Sequence, residues 1–282
     1  FKRIFKKYFM QIGIIGQGFV GNAIYQKFKN YYGVKTYDII DGKGNASKEA
    51  TMSQDIVFIC LPTPMNSSGR CDTSLVERAV KDVFTQSHCK TVVIKSTITP
   101  GTTAKINSLY PDMDVIFNPE FLTEANAIED FNTQNRIILG GPRRSTTLLK
   151  TIYRKIFPEI DIIKTGSTHA EMVKYITNTF LATKVAFANE MYQICEGLKL
   201  DYDKVIEYST FDKRLGKSHW AVPGPDGDFG YGGHCFPKDL QAILNLAEDL
   251  DTTSNVLQAT RETNITVRKN RDWEKMKGRA IV

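Results

Sequence analysis

The residues best suited to chemistry lie in a glycine-rich segment late in the chain. The segment reads Phe229-Gly230-Tyr231-Gly232-Gly233-His234-Cys235-Phe236-Pro237-Lys238-Asp239-Leu240 and leads into an apolar pattern typical of a helix. Its three glycines allow a ligand to approach the backbone closely. Pro237 suits the first turn of the helix, which places Cys235 just before the positively polarised helix end, with Lys238 nearby. These features favour a reactive thiolate, with Asp239 as a candidate base; the alternative is a small buried cysteine that only packs.

A second candidate pair, Lys174 and Asn178, is spaced by one helical turn. Both belong to a stretch without Gly or Pro that runs to Gly197, and Thr168 with Glu171 has the spacing of a capping box at its start. We expect one helix of about 40 Å that links two domains and serves a dimer interface. The pair would share one helix face, although a purely solvated pair is the alternative.

A glycine turn near the start of the chain has the spacing of a dinucleotide-binding motif. Gly16, Gly18 and Gly21 follow an apolar run and precede a helical pattern, and Asp38 lies 22 residues after Gly16 at the end of the next apolar run. The glycines suit a tight turn, a close pyrophosphate and helix packing, while the acid suits a ribose 2′-hydroxyl. Because Asp38 would repel a 2′-phosphate, the motif predicts NAD rather than NADP. A structural turn without a ligand is the alternative.

Short apolar runs and helical patterns alternate through the first half of the chain. The runs cover residues 11–15, 34–37, 56–61, 91–95, 115–117 and 136–139. This alternation predicts an α/β fold with a Rossmann-type, doubly wound parallel sheet, in which ligands bind at the carboxyl ends of the strands. The segments at those ends are Leu61-Pro62-Thr63-Pro64, Lys95-Ser96-Thr97 and Asn118-Pro119-Glu120-Phe121-Leu122-Thr123-Glu124. Taken alone, each also fits an ordinary polar loop.

Composition and charge exclude several classes of protein. The 282 residues are 41% hydrophobic and 24% charged, which excludes a disordered or collagen-like chain. The net charge of +6 lies at the ends, because residues 1–9 have four basic residues and no acidic one, and residues 261–282 have seven basic against three acidic. The charge therefore gives no support for a nucleic-acid partner.

The five cysteines include no Cys-x-x-Cys pair, so we expect neither a disulfide framework nor a metal site, and we expect a reducing cytosol. No apolar run approaches the roughly 20 residues of a membrane span. Met10 resembles a natural start, so residues 1–9 are predicted to be a basic extension. A basic helix on a membrane surface is the less favoured alternative.

Together these motifs resemble the UDP-glucose/GDP-mannose dehydrogenase family, in the right order from residue 10 to about residue 262. Two further segments agree, Asp212-x-Arg214-x-Gly216 and Val222-Pro223-Gly224-Pro225-Asp226-Gly227. The resemblance implies an NAD-dependent four-electron oxidation of the primary alcohol of a nucleotide sugar, UDP-glucose to UDP-glucuronate, by a homodimer joined through its helical domain.

The resemblance also implies residue roles. Cys235 corresponds to the nucleophile, Asp239 and Lys174 to acid/base and oxyanion groups, Asn178 and Thr97 to partners of the reacting oxygen and a bound water, and Glu120 to the carboxylate that assists thioester hydrolysis. The cofactor would contact Gly16, Gly18, Phe19, Val20, Gly21, Asp38, Pro62, Thr63, Thr97 and Glu124. The substrate would contact Phe121, Leu122, Glu124, Lys174, Asn178, Phe229, Gly230, Tyr231 and Gly232, and Arg214 would reach it from a second subunit.

The predicted domains are an NAD-binding domain over residues 10–167, a helical central domain over residues 168–262, and a tail over residues 263–282 that resembles the start of the family's third domain. Without that domain the substrate site would be open on one side. The alternatives are oxidation of GDP-mannose or an N-acetylated UDP-sugar, a two-electron β-hydroxyacid dehydrogenase, and an inactive module that binds NAD or a nucleotide sugar.

Overall fold

The computed structural model describes residues 10–282, and the predicted basic extension of residues 1–9 lies outside them. The described chain divides into two compact units. The first takes in the residues up to Thr63 together with Thr73–Lys174, and the second takes in Pro64–Asp72 and Tyr175–Val282.

The first unit is built on a sheet of seven strands within the described residues. The strands are β1 (Gln11–Ile15), β2 (Gly33–Tyr37), β3 (Ile56–Ile59), β4 (Thr91–Ile94), β5 (Asp114–Phe117), β6 (Arg136–Gly140) and β7 (Asp161–Thr165). Their order is β2-β1-β3-β4-β5-β6-β7. Neighbours are parallel except β5 and β6, which pair antiparallel at Phe117 and Gly140. The predicted doubly wound sheet is confirmed, with one antiparallel pair and an additional edge strand, β7.

Helices cover both faces of this sheet. They are α1 (Phe19–Phe28), α2 (Lys48–Met52), α3 (Ser74–Gln86), α4 (Thr102–Leu109), α5 (Ala127–Thr133) and α6 (Arg143–Ile156). Ile12 and Ile14 of β1 belong to one apolar cluster with Phe28, whereas Ile15 belongs to a second cluster with Val80. Because both faces are covered, the strands read as continuous apolar runs rather than as alternating ones.

The second unit is mainly helical. Helix α7 (Ser167–Gly197) begins in the first unit and continues into the second, which also holds α8 (Tyr202–Ser209), α9 (Phe236–Asp249), α10 (Asn255–Val267) and short 3₁₀ helices at Lys213–Leu215 and Asp272–Lys275. One apolar cluster joins Ala188 to Tyr202 and Trp220, and another joins Ala182 to Leu240. The predicted long helix and the helical character of the second part of the chain are confirmed, whereas the domain boundaries at residues 168 and 262 remain predictions. Within residues 10–282, no helix is both long and apolar enough to cross a bilayer.

The predicted capping box at the start of α7 is wrong. The helix begins at Ser167, so Thr168 is already helical, and Glu171 serves a different helix. Oε1 of the fully buried Glu171 accepts hydrogen bonds from the amide and hydroxyl of Thr103, at 2.8 and 2.6 Å, and Oε2 accepts from the amide of Gly101 at 2.6 Å. Because α4 starts at Thr102, the carboxylate satisfies otherwise unpaired N–H groups there.

Residues 64–72 belong to the second unit although they follow β3 in sequence. The amide of Met65 donates to the carbonyl of Ala280 at 2.7 Å, and the amide of Val282 donates to the carbonyl of Met65 at 3.0 Å. Arg70 forms a bidentate ion pair with Asp249 at the end of α9. The segment is therefore fixed by contacts with residues far along the chain.

Candidate active site

The glycine turn after β1 has the geometry that a phosphate-binding turn requires. Gly16 has φ of +93°, in the left-handed region that favours glycine, and a Cβ there would overlap the carbonyl oxygen of Cys60. A Cβ on Gly21 would overlap the carbonyl oxygen of Gly16. At Gly18, by contrast, no described atom lies within 4 Å of an added Cβ. Two glycines are thus required by packing, while the middle one borders open space.

The N-terminus of α1 is suited to an anion. Its N-cap is Gly18, no side chain of residues 10–282 caps it, and its first turn, which starts with Phe19 and Val20, contains no acidic residue. Asp38 follows β2, and its Oδ2 accepts a hydrogen bond from the amide of Gln17 at 2.6 Å. The turn and the acid are therefore held together, as a site for a pyrophosphate and a ribose requires.

The loops after β3 and β4 are joined at their start. The amide of Leu61 donates to Oγ of Ser96 at 2.9 Å, and Oγ1 of Thr63 donates to the carbonyl oxygen of Thr97 at 2.7 Å. These bonds bring Pro62 and Thr63 beside Thr97 at the carboxyl edge of the sheet. The first two of the three predicted loop segments thus lie together.

Glu120, in the loop after β5, forms a buried ion pair with Lys174 of α7. Nζ of Lys174 donates to Oε1 of Glu120 at 2.9 Å and to the Glu120 carbonyl at 2.7 Å, while Oε2 accepts from the amide of Leu122 at 2.7 Å. The side chains of Lys174 and Glu120 are 3% and 8% exposed. Nζ of Lys174 also lies 5.6 Å from the centre of the Phe121 ring. Glu124, in contrast, lies in an exposed part of this loop.

A second buried lysine underlies the same loop, and its importance was not predicted. Nζ of Lys95 donates to Oδ1 of Asn118 at 3.2 Å and to the carbonyl of Pro119 at 3.3 Å. The hydroxyl of Tyr153 donates to the same Asn118 oxygen at 2.5 Å. Burial lowers the pKa of Lys95 to about 8, and the charge of Lys174 adds to this effect. Burial also raises the pKa of the Cys60 thiol to about 12.

In the second unit, Asp239 lies between two donors. Nδ2 of Asn178 donates to its Oδ2 at 2.5 Å, and Nζ of Lys238 donates to its Oδ1 at 2.6 Å. All three residues are buried. Burial lowers the pKa of Lys238, but the charges of Asp239, Cys71 and Cys235 outweigh burial and raise it above its usual value. Lys238 therefore stays protonated next to the carboxylate.

Cys235 lies where the sequence predicted. It is the N-cap residue of α9, Pro237 occupies the first turn, and the cysteine is partly exposed and forms no disulfide within residues 10–282. The positive end of a helix dipole favours a thiolate at this position. Asp239 follows one turn later, and its amide donates to the Cys235 carbonyl at 2.9 Å.

The three glycines before Cys235, at which the sequence predicts close approach of a ligand, differ in their surroundings. A Cβ on Gly230 would overlap Oδ1 of Asn264, and a Cβ on Gly232 would overlap Nη2 of Arg268. These two glycines thus also make room for the protein's own side chains, and their contact with a ligand remains a prediction. Only Gly233, with φ of +69° and no described atom within 4 Å of an added Cβ, borders open space.

The remaining predicted substrate residues lie in two environments. The Phe229 ring packs edge-on against Tyr192 at 5.5 Å, and Tyr231 is buried, with its amide donating to Asn264 at 2.7 Å. Arg214 is exposed and pairs with Asp212 of its own chain at 2.5 Å. That Arg214 reaches a substrate from a second subunit remains a prediction.

The sheet, the glycine turn and Asp38 define a dinucleotide-binding α/β protein with a helical second part. Residues 37–157 match the model of the NAD binding domain of the UDP-glucose/GDP-mannose dehydrogenase family, and residues 168–266 match the model of its central domain. The chain therefore belongs to this family, and the predicted NAD cofactor is confirmed by its NAD-binding domain.

Named relatives agree with this assignment. The chain is 32% identical over 229 residues to UDP-glucose 6-dehydrogenase TuaD of Bacillus subtilis, covering 78% of this chain and 48% of the relative. It is 35% identical over 218 residues to UDP-glucose 6-dehydrogenase of Rickettsia typhi, covering 74% and 49%. The chain thus spans about half the length of these curated relatives.

A solved structure shows the same architecture. A UDP-glucose dehydrogenase from the archaeon Pyrobaculum islandicum is similar with a TM-score of 0.81 and 27% identity, over 93% of this chain and 69% of the other. The similarity extends over nearly the whole chain, which agrees with the family match to both of its parts.

Proposed function

We propose that this chain supplies the cofactor-binding and cysteine-bearing parts of an NAD-dependent oxidation of the C6 alcohol of UDP-glucose to the carboxylate of UDP-glucuronate. The observation that carries the proposal is Cys235 at the N-cap of α9, one turn before a buried Asp239 that two donors hold in place. A two-electron β-hydroxyacid dehydrogenase needs no nucleophilic cysteine in this position. The named relatives support the substrate, because they are UDP-glucose 6-dehydrogenases.

The first unit's residues fit NAD. The N-terminus of α1, which no side chain of the described residues caps, offers N–H groups to the pyrophosphate, and Gly18 leaves room for it. Asp38 accepts from the amide of Gln17 in the same turn, and its carboxylate suits a ribose hydroxyl. Thr63 and Thr97 border the same sheet edge. When bound, NAD accepts the hydrides that C6 loses, one at each of the two oxidations.

In the first oxidation, Asp239 or a water next to it removes the C6 hydroxyl proton. Lys174 and Asn178 then stabilise negative charge on the C6 oxygen. A well-placed donor of this kind is worth about 3–4 kcal/mol in the transition state. The two residues lie one turn apart in α7, so they share one helix face.

Cys235 makes the second oxidation and its completion possible. Its thiolate adds to the C6 aldehyde to give a thiohemiacetal oxyanion, and transfer of the second hydride from C6 to bound NAD leaves a thioester. A water that gives one proton to Glu120 then attacks the thioester carbon. The carbon–sulfur bond breaks, the carboxylic acid loses its remaining proton to solvent as a carboxylate, and the thiolate is regenerated.

The test is the yield of NADH per UDP-glucose, followed by absorbance. We expect two NADH per sugar for the unaltered chain and loss of the second oxidation in Cys235→Ser, because serine is a much weaker nucleophile. Cys89→Ser is the matched control, since its buried thiol donates to the Thr91 carbonyl at 3.2 Å and a hydroxyl can replace it. Two NADH at an unchanged rate from Cys235→Ser would exclude the thioester route.

The same assay separates the other readings. Turnover with GDP-mannose or an N-acetylated UDP-sugar in preference to UDP-glucose would change the substrate but keep the chemistry. One NADH per sugar would indicate a simple alcohol dehydrogenase. No NADH, together with NAD or UDP-glucose binding measured by calorimetry, would indicate a binding module.

We further propose that the second unit forms a homodimer through α7. Ile176, Phe180, Phe187 and Ile194 are 48–66% exposed and follow helical spacing, so they form one apolar stripe. We expect Phe180→Glu to convert a dimer to a monomer in analytical ultracentrifugation. Leu250→Glu, at an exposed leucine just after α9, is the matched control. A monomeric unaltered chain would refute the dimer.

A further inference from the structure

Arg268, the residue that follows α10, brings an unusual concentration of charge into the interior of the second unit. Its side chain is 2% exposed and lies among three aspartates. Nη2 is 2.8 Å from Oδ2 of Asp226 and 3.3 Å from Oδ1 of Asp272, and Nε is 3.9 Å from Oδ2 of Asp228. Nε also donates to the carbonyl of Asn270 at 2.8 Å. Removing one partner of such a buried cluster leaves uncompensated charge.

Two of these carboxylates hold the two ends of the segment that leads to Cys235. Oδ1 of Asp228 accepts from the amide of Phe229 at 2.9 Å. Oδ2 and Oδ1 of Asp272 accept from the amide of Gly233 at 3.0 and 3.2 Å. One guanidinium therefore orients both acceptors.

The middle of the same segment is also fixed from α10. Oδ1 of Asn264 accepts from the Tyr231 amide at 2.7 Å, and its Nδ2 donates to the Tyr231 carbonyl at 3.0 Å. The Arg268 amide donates to the Asn264 carbonyl at 2.9 Å, so the two residues lie one turn apart at the C-terminal end of α10. Gly232 leaves the space that the guanidinium fills. Through these contacts, one face of Phe229–Gly233 packs closely against the C-terminal end of α10.

We propose that Arg268 is a positioning residue for Cys235. By orienting Asp228 and Asp272 it fixes Phe229–Gly233, and this segment sets where the thiol and the first turn of α9 lie. The inference rests on the proposed function, since it gives the position of the thiol a catalytic consequence. Reacting groups must be held closely, and a misplacement of about 1 Å costs on the order of 100-fold in rate.

Two aspartate variants form a matched pair for the test. Asp272→Ala removes a carboxylate that contacts both Arg268 and the segment. Asp226→Ala removes the carboxylate that lies closer to Arg268. The Asp226 carboxylate accepts a hydrogen bond from the amide of Asp228 but from none of the amides of residues 229–233. Each variant removes one of the carboxylates that pair with the Arg268 guanidinium. The two variants differ in that only Asp272 also accepts a hydrogen bond from the segment Phe229–Gly233.

The readout is the rate at which iodoacetamide alkylates Cys235, followed by mass spectrometry of its peptide, so turnover is not required. We expect about a tenfold slower reaction for Asp272→Ala, because the thiol moves relative to the helix end, and less than a twofold change for Asp226→Ala. Arg268→Met should slow it at least as much as Asp272→Ala, with partial recovery in Arg268→Lys. NAD affinity should stay within twofold throughout.

Equal alkylation rates in the two aspartate variants, with both folded, would overturn the proposal. Equal losses of thermal stability with unchanged alkylation would show a purely structural role. The proposed function fails separately, if the unaltered chain produces no NADH from UDP-glucose while the alkylation pattern is as expected. If turnover occurs, kcat should fall about 100-fold in Asp272→Ala with a smaller change in KM for NAD.

Discussion

Replacing Lys95 by methionine gives the most quantitative test of the energetics of the first unit. The ammonium is buried and donates to two neutral oxygens, on Asn118 and Pro119, at 3.2 and 3.3 Å. Burial is the main reason why its pKa falls from an ordinary 10.5 to about 8. The folded state therefore carries this charge at a cost.

The size and sign of the effect follow from this difference. The folded pKa is the lower one, so between about pH 8 and 10.5 the unfolded chain binds one proton more than the folded chain. The contribution of Lys95 to stability thus rises with pH in this window, and its cost is fully present below pH 8. A pKa difference of about 2.5 corresponds to about 3 kcal/mol at about 1.4 kcal/mol per pH unit.

Lys95→Met removes this pH-dependent cost. It also deprives the Pro119 carbonyl of a donor, at a cost of about 1–3 kcal/mol, whereas Asn118 keeps the hydroxyl of Tyr153. We expect the variant to be equal to the unaltered chain or up to about 2 kcal/mol more stable at neutral pH. Above pH 10.5 the free energy of unfolding of the unaltered chain should have risen by about 3 kcal/mol relative to that of the variant, compared with neutral pH.

The assay is urea unfolding at a series of pH values, compared as the difference between the two proteins so that other titrating groups cancel. Lys43→Met, which removes a lysine from the surface instead of the interior, is the matched control. A difference between Lys95→Met and the unaltered chain that stays constant between neutral pH and pH 10.5 would refute the burial argument.

Two further predictions concern the glycine turn and the ion pair. Gly21→Ala should lower the melting temperature and weaken NAD binding at least about tenfold, because the added Cβ overlaps the Gly16 carbonyl and overpacking typically costs about 1–3 kcal/mol. Gly18→Ala, where no described atom is near, should weaken NAD binding while retaining the melting temperature, and equal melting losses would contradict the packing argument. Lys174→Met should destabilise the first unit by about 3–5 kcal/mol, measured by calorimetry, because it leaves the Glu120 carboxylate buried without its cation; adding Glu120→Gln should recover part of the loss.

Local sequence patterns predicted the parts of the site that local interactions determine. The turn at Gly16 needs a left-handed residue beside a strand and a helix, and all three are encoded within a few neighbours. Cys235 precedes α9 because Pro237 is suited to a first helical turn. In both places the residue type restricts its own backbone, so the structure follows from the adjacent sequence.

Patterns that depend on distant partners were misread or missed. Thr168 and Glu171 have the spacing of a capping box, but the Glu171 carboxylate binds at Gly101 and Thr103, about 70 residues earlier. The edge strand Asp161–Thr165 is partly exposed, so it lacks the continuous apolar run of a central strand. Neither outcome can be read from the neighbouring residues, because the deciding contact is made by another element.

The glycines before Cys235 show how these two kinds of information combine. A glycine indicates that something lies close to the backbone, but not whether it is a ligand or the protein itself. At Gly230 and Gly232 the nearby side chains are those of Asn264 and Arg268, which follow α9 in the sequence. The carboxylates that pair with Arg268 include Asp226, which precedes α9, and Asp272, which follows it. The choice of Cys235 as the proposed nucleophile therefore rests on local sequence. In the proposal, the position of its thiol depends on Arg268, more than thirty residues later, so substitutions at Arg268 should be as informative about the reaction as substitutions at the cysteine's own neighbours.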